Sequence, residues 1–100
     1  MLPPIPEPSL RACLAVLQYA CLHARLLGYE GESHGLPPRR AQLLADLMDA
    51  VHNLPQLILR WPECNEALLR GMLAGFDEKW AGEDLGLLAV FEETMGKTPP

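Results

Sequence analysis

Three groups of residues in this sequence have the types and spacing to do chemistry. Asp46, Asp49 and His52 follow one another at intervals of three. On a helix, residues three apart lie on adjacent turns, and carboxylates with an imidazole are a plausible metal-ligand set. Glu30, Glu32, Ser33 and His34 crowd a Gly-rich stretch, where a loop on a rigid scaffold could meet a small molecule. Cys64 follows Trp61–Pro62 near an expected helix start, and a helix N-terminus lowers the pKa of a thiol.

Each group has a plainer reading. Asp46 and Asp49 fall on the side of their helix where charge is expected anyway, and no second metal-spaced pair such as H-E-x-x-H accompanies them. Ser33 beside His34 is not a nucleophile arrangement, because sequence neighbours seldom hold the required mutual geometry. Glu63 and Glu66 oppose ionisation of Cys64. Phosphate-cradling Gly loops, paired catalytic carboxylates and Cys-x-x-Cys pairs are absent from the sequence. No catalytic residue, metal or cofactor is therefore expected, and a non-enzymatic role is the leading reading.

Other residues suit contact chemistry instead. Ala67, Gly71 and Gly75 are spaced by four, opposite the apolar side formed by Leu69, Phe76 and Trp80. A Gly inside a helix costs about 0.8–1.0 kcal/mol relative to Ala, so two on one side suggest a compensating use. Small residues at that interval let another helix approach closely, whether from the same chain or a second one. Val16, Tyr19 and His23 form an apolar flank on an earlier helix, with His23 reading as a core or interface histidine.

The elements that carry these residues follow from pattern. Residues 1–8 form an extended Pro-rich lead-in, with Ile5 laid on the domain. Ser9 is the expected N-cap of a helix running to Leu27 or Gly28. Arg11, Gln18 and Arg25 make its single narrow polar stripe, and the rest is apolar, so this helix must be surrounded by protein. Gly28 to Pro38 reads as a loop. Pro38 opens a second helix with Leu43, Leu44, Leu47, Met48 and Val51 on one side. Pro55 should break it, leaving Asn53 to cap a short third helix, with Gln56 as its N3 partner, to about Arg60 or Trp61, or else the helix kinks. A fourth helix spans about Glu63 to Trp80 and a fifth about Glu83 to Met95, with Gly82 and Gly96 as stops. The expected fold is all-α: a small bundle of four main helices plus a short connecting helix, one domain over residues 9–96, and a mobile tail over 97–100.

Composition bounds the function. The formal charge of −5 is concentrated in residues 62–100, where Arg70, Lys79 and Lys97 face eight acids. Such a surface repels phosphate backbones, and Arg39–Arg40 is the only basic cluster, so nucleic acid is excluded as a partner. Pro3, Pro4, Pro6 and Pro8 break any secretion signal, and Arg11, Gln18, His23 and Arg25 interrupt the apolar run 10–27 as a membrane span. Cys13, Cys21 and Cys64 are an odd number and read as reduced thiols in the cytoplasm. The expected protein is a helical interaction module or small regulator whose partner is another polypeptide, foremost a second copy of itself. The alternatives are an inhibitor of the immunity or antitoxin kind, using its acidic C-terminal third, and a small metal-binding protein or enzyme.

Overall fold

The computed structural model describes residues 4–96, the side chain of Ser33 excepted. Four helices follow in order: α1 (Glu7–His34), α2 (Pro38–Leu59), α3 (Glu66–Lys79) and α4 (Leu87–Gly96). The fold is all-α, as composition and periodicity require. A helix of 28 residues is about 42 Å long at the standard rise, and α1 sets the long axis of a molecule measuring 46 × 27 × 20 Å. α2 and α4 pack against α1, and α3 packs against α4. Between them lies one core in which Leu47, Leu87, Phe91, Leu69, Trp80 and Val16 are fully or almost fully buried.

Both ends of α1 differ from expectation. The helix starts at Glu7, with Pro6 preceding it and Pro8 in the first turn. First-turn N–H groups have no partner within a helix, so proline loses nothing there, and the Glu7 charge suits the positive end of the helix dipole. Ser9 is then not a cap. It is buried within the helix, its hydroxyl donating to Glu66 Oε1 at 3.3 Å. At the other end the helix runs through Gly28 and Gly31 to His34, so the expected long loop shrinks to Gly35–Pro37. Gly35, at φ 72°, supplies the left-handed stop that the earlier glycines were expected to give. Ile5 packs against the core as a strap; Pro3 and the tail 97–100 lie outside the described residues.

The expected short helix after Leu54 is not separate. α2 continues unbroken through Pro55 to Leu59. An internal proline costs about 3 kcal/mol in an isolated helix, but packing outweighs it here. Leu54 is buried beside it, and Val51, Leu57 and Ile58 rest on the core to either side. α3 begins later than expected, at Glu66, because Asn65 caps it by accepting from Leu68 N at 3.0 Å. α4 also begins late. Gly82 and Asp84, at φ 93° and 55°, turn the chain, and the carboxylate of Asp77 on α3 accepts from the N–H groups of Leu87 and Leu88 at 2.9 and 3.0 Å. A cap supplied by a preceding helix fixes where α4 can start.

Candidate protein-binding site

The residues singled out for metal chemistry do not converge. Asp46 turns toward α3, where it accepts from Trp80 Nε1 at 2.9 Å, pairs with Lys79 Nζ at 2.7 Å and accepts from Gln42 at 2.9 Å. Desolvation pushes its carboxyl pKa up, but the bonds from Lys79, Gln42 and Trp80 and the Lys79 charge win and hold it below the ordinary carboxylate range. Asp49 borders the α2–α3 side, whereas His52 lines a shallow groove on the α1–α2 side with Cys21 and Met48. Among the described residues no group of three or more His, Cys, Asp or Glu is placed to hold a metal.

Glu30, Glu32 and His34 lie on the last turns of α1 rather than in a loop. Glu30 forms a forked pair with Arg40 at 2.9 and 3.1 Å, tying the end of α1 to the start of α2. Glu32 and His34 point to solvent. The Arg39–Arg40 pair is also occupied: both guanidiniums reach Glu83, and Arg39 lies over the Trp80 ring at 4.8 Å. Cys64 and Cys13 are buried, and all three cysteines are free thiols. Burial, with negative charge at Cys64 and Glu66, pushes the Cys13 thiol up to about 11. It is an inert core thiol.

The contact-type residues fall on two faces. Val16 is fully buried in the chain's own core, and Tyr19 packs on His23 with ring centroids 4.4 Å apart. That flank is largely spent inside the chain. The α3 stripe is the reverse. Ala67, Gly71 and Gly75 are exposed, and a Cβ added at Gly71 or Gly75 would meet nothing within 4 Å, so no helix among the described residues packs there.

Next to that stripe is a feature sequence reasoning missed. α2 and α3 stand apart across an apolar cleft of about 330 Å³. Leu54, Leu69, Leu73 and Leu87 form its floor; Ala50 and Leu57 from α2 and Met72 and Phe76 from α3 form its walls. Gly75 and Lys79 edge it on one side, Asp46, Asp49 and Asn53 on the other. By helical spacing Leu68 extends the Met72 side of α3, and both are about half exposed, at 54% and 51%. The sequence signalled α2's apolar side and the bare glycines. It carried no signal that α2 and α3 would be held apart, because that spacing is set by how each packs on other helices.

The outer side of α1 is also uncovered: Leu14, Leu22, Leu26 and Tyr29 are 45–57% exposed. The expectation that α1 is enclosed therefore fails for the chain by itself; Leu27 is buried, Leu17 and Cys21 only partly, and Leu14 faces water. Among the described residues, α1 is also the one helix long and apolar enough to cross a membrane by length and composition, a test that core helices of soluble proteins pass as well. The fold and these faces define a small all-α protein with an open interhelical cleft. No protein-family model, curated protein or solved structure matches the chain.

Proposed function

We propose that this protein is a non-enzymatic, cytoplasmic interaction module that takes an amphipathic helix of another polypeptide into the α2–α3 cleft and also self-associates. The cleft carries the reading. It has the form of a helix-in-groove site: an apolar floor between two helical walls, with a rim of polar residues. Gly75 leaves room for a backbone to come close. Lys79 is neutralised by Asp46, whereas Asp49 stands exposed on the rim without an ion pair among the described residues, so a basic residue flanking the partner's apolar stripe is favoured.

The inhibitor alternative draws less support. Of the C-terminal acids, Glu66 and Glu92 are engaged by Arg70, Glu83 by both Arg39 and Arg40, Glu63 by Arg60, and Asp77 caps α4. Four of the eight acids in residues 62–100 are thus paired with arginines and a fifth is spent as a helix cap, which leaves less of the acidic third for a basic partner.

A photo-crosslinking residue placed at Met72, with a control at Glu63, tests the cleft in the cells that make the protein. The expected result is one discrete polypeptide adduct from position 72, absent from position 63 and abolished when Ala50→Trp fills the cleft. No adduct at 72, or an adduct untouched by Ala50→Trp, overturns the reading.

A further inference from the structure

We infer that two copies of the chain pair through the outer face of α1, antiparallel, about a two-fold axis lying between Cys21 and Leu22. The proposal deepens the self-association in the reading above, on a helix that takes no part in the α2–α3 cleft.

The observation is a charge pattern laid over an apolar surface. Arg11, Gln18, Arg25 and Glu32 are spaced by seven and all exposed, so they run in one line down the outside of α1. Leu14 lies along one flank of this line, and Leu22 and Tyr29 along the other, each about half exposed. Such a face has one helical partner that satisfies every position, and that partner is itself reversed. With the axis between residues 21 and 22, position i meets position 43 − i of the second copy. Arg11 then meets Glu32, Gln18 meets Arg25, and Leu14 packs on Tyr29, each contact occurring twice by symmetry. Leu22 lies at the axis against Cys21 and its own counterpart.

The parallel arrangement fails on the same residues. It stacks Arg11 on Arg11, Arg25 on Arg25 and Glu32 on Glu32, and like charges directly opposed are unfavourable. A bilayer fits no better, since the line of charged and amide groups bisects the apolar face, and such groups are costly in hydrocarbon. The charges inside the chain permit the pairing. Arg11 has its own Glu7 one turn away and keeps it, while Arg25 and Glu32 have no ion-pair partner among the described residues. The overlap covers about 33 Å of helix at the standard rise, and a contact of one helix on one helix gives a dimer of modest strength.

The test is a charge swap read by sedimentation velocity at low salt, with circular dichroism to confirm that each variant is folded. Wild type is expected to dimerise in the tens of micromolar, and Arg11→Glu alone or Glu32→Arg alone to lose at least tenfold in dimer affinity. An equimolar mixture of the two single variants should recover the dimer. In the mixed pair, the acid introduced at position 11 of one copy faces the base introduced at position 32 of the other, and the unaltered Arg11 and Glu32 still face each other. A monomeric wild type at several hundred micromolar overturns the proposal. So does a dimer indifferent to both single substitutions, or a mixture that stays monomeric. Flotation of wild type with anionic phospholipid vesicles, lost in Leu22→Glu, would assign the face to a lipid surface instead. None of these results depends on the cleft, so crosslinking at Met72 stands or falls separately.

Discussion

Asp46 shows how a residue flagged for one chemistry serves another. Its three donors come from α2 and from the end of α3, and one of them is the indole N–H of the fully buried Trp80. Removing the acceptor strands a polar group inside the core, at a cost of about 1–3 kcal/mol. Asp46→Ala should therefore lower unfolding free energy by that amount at neutral pH in urea titrations, whereas Asp46→Asn, which keeps an acceptor oxygen, should lose less. The pH dependence has a definite sign. The folded-state pKa of Asp46 lies below its unfolded value, so its contribution is complete above the ordinary carboxylate range and declines as pH falls through the folded pKa. The gap between wild type and Asp46→Asn should narrow on moving from pH 7 to pH 3; a gap of constant width would show that the Lys79 charge contributes nothing.

At the scale of the element, the two long helices override local signals. α1 carries Gly28 and Gly31 and continues through both, because Leu27 is buried just before them and Arg40 grips Glu30 between them. The two glycines differ in what surrounds them. A Cβ at Gly28 meets nothing within 4 Å, while one at Gly31 lies 3.0 Å from Leu36 Cγ. Gly28→Ala should stabilise the chain by about 0.8–1.0 kcal/mol, raising Tm by about 4–8 °C for a domain of this size. Gly31→Ala should gain less or turn destabilising, since Leu36 must move. Equal gains at the two positions in thermal melts would mean that Leu36 does not cover the end of α1. Pro55 in α2 follows the same logic: propensity argues for a break, and burial of Leu54 with the packing of Leu57 and Ile58 carries the helix through.

At the scale of the whole molecule, ion pairs bind the helices to one another and leave the open faces differently charged. Arg70 links Glu66 and Glu92, Arg40 links Glu30 and Glu83, and Lys79 links α3 to Asp46. Exposed pairs of this sort contribute roughly 0–1 kcal/mol each, so they orient the helices more than they hold the fold. The α2–α3 cleft is floored by leucines, whereas the α1 face is lined with charge. Raising sodium chloride from low to high concentration should therefore weaken α1-mediated dimerisation steeply and occupancy of the cleft only slightly. Sedimentation and crosslinking at position 72, followed across the same salt series, check this; parallel salt responses would place both events on one surface.

Residue types and their spacing were enough for the helical class, the start of α2 at Pro38, the apolar sides of α2 and α3, and the small stripe's lack of bulk. Those features depend on residue type and on a period of 3.6, which are local. The sequence also showed that the first helix carries more apolar surface than a lone helix can keep wet. Packing between helices decided that α1 runs on past Gly28, that α2 survives Pro55, that Asp77 starts α4 and that Asp46 is engaged by Trp80 and Lys79. It decided too that α2 and α3 do not close on one another. Each of those outcomes rests on contacts between residues far apart in the chain, such as Glu30 with Arg40 and Asp46 with Trp80. A periodic pattern says which side of a helix seeks cover, and the helices' mutual packing decides which sides receive it.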